Sequence, residues 1–156
     1  RPFAPVVLAE RASEYFDFSS ESPYMLFTAP VVESRRRPVE ISFEVPMAER
    51  MKTVRSDIPA VTHLDYSARV QTVDKKRNPR LHALLKAFEE RTWCPVLINT
   101  SFNVRGEPPV CHPREAIACF LDTGMDILVF GNHVIDKSAV SAERLGARKP
   151  RAFAPD

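Results

Sequence analysis

A chain of 156 residues that is 44% hydrophobic can bury a core, and its length suits one domain. Its 22 basic and 20 acidic residues leave a formal net charge of +2, which excludes the strong basic excess of a general nucleic-acid binder. No run of 18 apolar residues occurs, so no transmembrane helix is expected.

The first predicted element is a short strand at residues 5–8, Pro-Val-Val-Leu. Residues 10–16 read as a short helix with Tyr15 and Phe16 turned inward, and 19–23 as a turn. Residues 24–29 are apolar and aromatic and predict a strand. The charged stretch 33–44 lacks periodicity and reads as a mobile loop; 45–54 suits a short helix. Strands are predicted at 60–62 and 68–73, around the turn-like Asp65-Tyr66-Ser67. Leu81, Leu84, Leu85 and Phe88 recur at helical spacing, which predicts a helix over 79–92. Asn78 is its expected N-cap, with Pro79 at the first helical position. A strand over 96–99 follows. A second helix over 112–123 has Pro113 near its start, Ile117, Phe120 and Leu121 inward, and Gly124 as its stop. Strands at 127–130 and 134–135 flank Gly131-Asn132. Residues 138–156 are polar and basic and are expected to be disordered.

Strands interleaved with amphipathic helices predict a mixed α/β layer structure. The 96–99 strand lies between the two helices and is expected to be central, with its following loop on the ligand-binding edge.

Cys94, Cys111 and Cys119 are odd in number and none has C-x-x-C spacing, so neither a disulfide framework nor a zinc site is suggested. A cytoplasmic compartment is expected. The N-terminus has no leader pattern and no initiating Met, so the chain reads as a piece of something longer.

Two polar clusters carry candidate chemistry. At 95–109, PVLINTSFNVRGEPP, an apolar run stops at Asn99, Thr100, Ser101, Asn103, Arg105 and Glu107. Arginine forks onto oxyanions, and hydroxyl and amide groups add neutral hydrogen bonds. A loop held together by its own hydrogen bonds, with Gly106 as a turn residue, would carry the same residues. At 58–73, IPAVTHLDYSARVQTV, Arg69 and Gln71 share one face of a strand. They suit a phosphate or carbonyl, or simply a polar outer face. His63 with Asp65 could form a base–orienter pair or two metal ligands, or be structural; no further ligands at metal-site spacing accompany them. Lys52 and Arg55, at i and i+3, could add charge over a phosphate or be solvated. The basic runs 35–37 and 75–77 read as solvated loops. Neither a Gly-rich phosphate loop nor a nucleophile elbow occurs.

The segments RPFAPVVL at 1–8, IPAVTHLDYSARVQTV at 58–73, PVLINTSFNVRGEPPVCHP at 95–113 and FGN at 130–132 together resemble the C-terminal domain of O-carbamoyltransferases of the nodulation-factor and antibiotic-tailoring type. The resemblance covers residues 1–137. It implies a YrdC-like domain, a twisted mixed sheet with helices packed on it. It also implies an N-terminal Kae1-like (ASKHA-type) domain, lacking here, which holds the family's metal. In such enzymes the YrdC-like part binds ATP, with Mg2+ as part of the substrate, and carbamoyl phosphate. It forms a carbamoyl-adenylate, and the Kae1-like part moves the carbamoyl group to a hydroxyl. By that resemblance Ser101 and Asn103 match the family's Ser-x-Asn element, and Arg69 and Arg105 its basic positions. Arg1 is a further match, and Lys52 and Arg55 are looser ones. His63, Asp65 and Arg69 are the expected catalytic set, with Gln71 and Asn99 among the binding residues and no metal ligand in this chain. Tyr66 departs from the family, which usually has a small residue there, commonly Gly. No membrane partner is implied, and nucleic acid is not the expected ligand. Two alternatives remain: a threonylcarbamoyl-adenylate synthase-like tRNA-modification enzyme, and a non-catalytic nucleotide- or RNA-binding module.

Overall fold

In the computed structural model, residues 3–39 and 44–141 are described. The chain divides into two compact units, Arg1–Thr100 and Ser101–Asp156. The architecture is mixed α/β, as the interleaved pattern predicts.

The first unit is built on a four-stranded mixed sheet. Its strands are β1 (Ala4–Leu8), β2 (Phe27–Pro30), β3 (Ser67–Val73) and β4 (Val96–Asn99), in the order β2-β3-β1-β4. β1 runs parallel to β3, with Val6 opposite Gln71, and antiparallel to β4, with Ala4 opposite Asn99. β2 pairs antiparallel with β3, with Thr28 opposite Arg69. All five residues of β1 are buried. A continuous apolar run suits an inner strand covered on both faces, whereas alternation suits a strand with one wet face.

That difference corrects the expected place of residues 96–99. β4 is an edge strand of the sheet, and Ile98 is 51% exposed. The inner position belongs to β1, whose side chains are apolar in both directions. Two further expectations change. Residues 60–62 form no strand, because Pro59 opens a 3-10 turn over Pro59–Val61. The second strand starts at Phe27 rather than residue 24, because Met25 takes a φ of +56°, outside extended backbone.

One face of the sheet carries Val6, Leu8, Val73 and Leu97, covered by α2 (Pro79–Thr92) through Leu81 and Leu85. The expected cap is present: Asn78 Oδ1 accepts from the Leu81 amide at 3.2 Å. Leu84, expected on the apolar face, is 57% exposed. The other face packs Val7, Val70 and Val96 against Tyr15, Phe16 and Val31. Tyr15 and Phe16 are inward as expected, after a 3-10 turn over Ala9–Glu14. α1 (Met47–Lys52) lies within the predicted 45–54 helix. Of the charged stretch 33–44, Glu33–Arg35 forms a 3-10 turn.

The second unit contains α3 (Pro113–Asp122) and a hairpin of β5 (Ile127–Phe130) and β6 (His133–Asp136). Gly131, at the turn, has a φ of +58°, which glycine adopts at little cost. α3 buries Ala116, Cys119 and Phe120, whereas Ile117, expected inward, is exposed. Lys137 closes its C-terminal end: Nζ donates to the Phe120 carbonyl at 2.6 Å and also to the Thr123 carbonyl. A cation there meets the helix's unpaired carbonyls. Of the tail expected to be disordered, residues 138–141 are described, Lys137–Ala139 forming a 3-10 turn, and residues 142–156 lie outside the described residues.

Candidate anion and nucleotide site

The predicted site residues fall in both units, so each group is described within its own unit. In the first, α2 covers one end of a sheet face and leaves Arg69, Gln71 and Asn99 on the other. β3 supplies Arg69 and Gln71 at a spacing of two, so both point to this face. Gln71 is opposite Val6 on β1, and the same register carried back two residues sets Arg69 level with Ala4. Asn99 is opposite Ala4 from the other side. Arg69 and Asn99 thus flank a residue whose side chain is one methyl group. The Asn99 amide nitrogen donates to Gln71 Oε1 at 2.5 Å, and Gln71 Nε2 donates to the Pro23 carbonyl at 3.0 Å. This fixes the Gln71 amide across the sheet. Arg69 is half-buried, and among the described residues its guanidinium makes no hydrogen bond or ion pair. Half-buried guanidinium groups normally find acceptors, so an unpaired one on a polar face suits an incoming anion.

The turn before β3 brings His63 and Asp65 together through a third residue. Ser67 Oγ donates to Asp65 Oδ1 at 2.7 Å and lies 3.1 Å from His63 Nδ1. The Ser67 amide donates to the same carboxylate oxygen at 3.0 Å, and the His63 amide donates to the Ser67 carbonyl at 2.7 Å. The Ser67 hydroxyl and amide hold the Asp65 carboxyl below the ordinary aspartate range. Sequence reasoning took His63 and Asp65 as a pair and counted Ser67 in the same polar cluster without giving it a role. The signal was available as H-x-D-x-S, three polar side chains at i, i+2 and i+4. Thr62 is structural: its buried hydroxyl bonds Ser56 Oγ at 2.7 Å and the Ile58 carbonyl at 2.9 Å.

Tyr66 adopts a φ of +65°, the left-handed region that glycine favours. A glycine here, which the sequence resemblance implies for the family, would take this conformation at little cost. The tyrosine keeps the same turn and sends its ring elsewhere. Its hydroxyl accepts from the Val39 amide at 3.2 Å and donates to the Arg37 carbonyl at 3.3 Å. The Arg36 guanidinium lies 5.6 Å from the ring centroid.

Lys52 is exposed at the end of α1. Arg55 is only 3% exposed, and its guanidinium donates to the Thr53 carbonyl at 2.8 Å and to the Arg50 carbonyl. Two of its nitrogens thus serve the end of α1, although Nε has no hydrogen-bond partner among the described residues. Arg1 lies outside the described residues.

In the second unit, the Ser-x-Asn element ties its own loop. Ser101 Oγ donates to Asn103 Oδ1 at 2.5 Å, and Asn103 Nδ2 donates to the Val104 and Glu107 carbonyls at 3.2 and 2.9 Å. Gly106 takes a φ of +83° within this turn, and Arg105 is exposed on it. The loop is therefore self-bonded, as the plainer sequence reading had it, and it still presents the Ser101 oxygen and an arginine.

The basic runs are tied into the structure more than expected. Arg35 pairs with Asp57 at 2.6 Å and lies 3.6 Å from the Tyr15 ring centroid. Arg77 pairs with Glu21 and Asp74 at 2.6 and 2.9 Å. Among the described residues, no group of three or more His, Cys, Asp or Glu is placed to hold a metal ion, and no helix is long and apolar enough to cross a membrane.

Residues 1–137 match the family described as the carbamoyltransferase C-terminus. The chain belongs to that family. A Synechocystis protein, "Uncharacterized protein sll1178", is 51% identical over 140 residues, 89% of this chain and 23% of that protein. "Nodulation protein NolNO" of Sinorhizobium fredii is 40% identical over 146 residues, 92% of this chain and 19% of its own. The "3'-hydroxymethylcephem-O-carbamoyltransferase" of Amycolatopsis lactamdurans is 35% identical over 132 residues, 85% of this chain and 21% of its own. The chain therefore spans about a fifth to a quarter of the length of these relatives.

Proposed function

We propose that this chain is the nucleotide- and carbamoyl phosphate-binding part of an O-carbamoyltransferase, and that it forms a carbamoyl-adenylate. The observation that carries the reading is Arg69. It is a half-buried arginine with no acceptor among the described residues, on the same sheet face as the fixed amides of Gln71 and Asn99. Family membership and the cephem O-carbamoyltransferase relative supply the reaction class.

Carbamoyl phosphate and one water give carbamate and phosphate. A carbamate oxygen attacks the α-phosphorus of ATP, and diphosphate leaves. ATP enters with Mg2+ as part of the substrate. Negative charge is transferred between phosphate oxygens throughout, so fixed cations and amide donors carry most of the work. In the first unit Arg69 would hold a phosphate oxygen, with Lys52 as a further cation, Gln71 and Asn99 offering neutral hydrogen bonds, and His63 and Asp65 ordering or deprotonating the carbamoyl end. In the second unit Ser101, Asn103 and Arg105 would form a separate polar, basic element for an anion. Transfer to a hydroxyl acceptor would belong to a Kae1-like domain of a longer protein, where the family's metal is expected, in the cytoplasm. The internal pairing of Arg35 and Arg77 leaves less free charge for RNA, which favours this reading over an RNA-binding module.

Isothermal titration with a non-hydrolysable ATP analogue and with carbamoyl phosphate tests it. Binding of both is expected. Arg69→Ala is expected to weaken phosphate binding by about 1.5–3 kcal/mol, roughly ten- to a hundredfold, as for one lost hydrogen bond to a charged group. Failure of both ligands to bind this chain and a longer protein containing it would overturn the reading.

A further inference from the structure

The Pro23 carbonyl decides how two side-chain amides on the open end of the sheet face are turned. A carbonyl oxygen can only accept, so the Gln71 atom that meets it at 3.0 Å is the nitrogen. The Gln71 oxygen then faces Asn99, at 2.5 Å, and the Asn99 atom that meets it is the amide nitrogen. Donation therefore runs one way, from Asn99 through Gln71 to Pro23. At the free end stands Asn99 Oδ1, an acceptor that makes no hydrogen bond among the described residues.

Across the Ala4 methyl group from this acceptor is the Arg69 guanidinium, which likewise has no partner among the described residues. Two interstrand steps, about 10 Å, separate the α-carbons of Arg69 and Asn99, and both side chains rise on the same face. All three polar side chains are half-buried, so a molecule lying between them gives up part of its water. Such a molecule needs an anionic oxygen for the arginine and an N–H for the amide oxygen, close together.

We propose that Asn99 Oδ1 accepts a hydrogen bond from the amine of carbamoyl phosphate while Arg69 holds its phosphate, and that this acceptor selects carbamoyl phosphate over acyl phosphates that lack the amine. The assignment rests on the carbamoyl phosphate reading above. In carbamoyl phosphate only a carbon and an oxygen separate the amine from phosphorus, so one small molecule supplies both groups. The adenine amine of ATP lies a whole base and ribose away from its phosphates and does not. Acetyl phosphate has the outline of carbamoyl phosphate with a methyl group in place of the amine. It would cover the Asn99 oxygen without offering a donor, and an acceptor left unpaired on binding is penalised. Gln71 is the positioning residue. Without its oxygen the Asn99 amide would be free to turn its nitrogen toward the ligand, and the preference would fade.

Isothermal titration with carbamoyl phosphate, acetyl phosphate and inorganic phosphate tests this, on this chain and on a longer protein containing it. The wild type is expected to bind carbamoyl phosphate at least about tenfold more tightly than acetyl phosphate. Asn99→Leu, of similar shape without the acceptor, should bring that ratio toward one, with the loss falling on carbamoyl phosphate. Gln71→Leu should lower the ratio as well. Arg69→Ala should weaken all three ligands and keep the ratio. Equal wild-type affinity for carbamoyl and acetyl phosphate overturns the proposal, whether or not any variant folds, and leaves the phosphate reading of Arg69 standing. A preference undiminished in Asn99→Leu also overturns it. If Asn99→Leu does not fold, an undiminished preference in Gln71→Leu does the same. If neither carbamoyl phosphate nor inorganic phosphate binds, the reading of the site itself falls, and the proposal with it.

Discussion

Tyr66 holds a conformation that costs a residue with a β-carbon about 1–2 kcal/mol, and its phenol offsets part of that with two backbone hydrogen bonds. Tyr66→Phe keeps the turn and the ring while deleting the hydroxyl. A loss of about 0.5–1.5 kcal/mol in urea unfolding is expected, with faster amide exchange at Val39. Asp65 gives a pH signature at the same turn. Its carboxyl is lowered in the fold, so its contribution is complete above the ordinary aspartate value and is lost as pH falls through the lowered one. Following that carboxyl by NMR during acid titration should show a midpoint below that of a free aspartate, and Ser67→Ala should raise it. At this scale the sequence was readable for types and spacing. Arg69, Gln71 and Asn99 were singled out and do share a sheet face. What could not be read was commitment. Nothing in the one-dimensional pattern says that the Arg55 guanidinium is spent on the carbonyls ending α1 while the Arg69 guanidinium finds no acceptor among the described residues.

The elements were legible where a local signal fixes them. The 79–92 helix has a capping asparagine, a proline at its first turn and a helical leucine repeat, and these need no tertiary context. Asn78→Ala should cost about 1 kcal/mol, and Leu85→Ala, at a fully buried position, roughly 2–5 kcal/mol by thermal or urea unfolding. α3 is held at its start by Glu115, which accepts from the Cys111 and His112 amides at 2.9 and 3.0 Å and is lowered by them. Glu115→Ala should therefore speed amide exchange over the first turn of α3 at neutral pH. The difference from wild type should vanish as the pH falls below the lowered value. Strand order was not legible. Whether residues 96–99 are inner or edge depends on β1, nearly a hundred residues earlier, and no window of local pattern contains both.

For the molecule as a whole, the mixed α/β reading of the sequence holds, with a mixed sheet and helices packed on it. The three free cysteines give a simple check on the folded state. Cys111 is exposed, Cys94 half-buried and Cys119 buried, so a thiol reagent should label them in that order, the last only on unfolding. The topology also has a consequence for how such a chain is made. β1 needs β3 on one side and β4 on the other, and Ala4 meets Asn99 roughly 95 residues later. At ribosomal rates of about 5–20 residues per second, that wait lasts on the order of 5–20 s. The most apolar strand is thus the first of the sheet's strands to leave the ribosome, and its last neighbour is β4. During that interval it is the segment most in need of a chaperone, and a slowed codon after β1 would lengthen the exposure that the finished fold conceals.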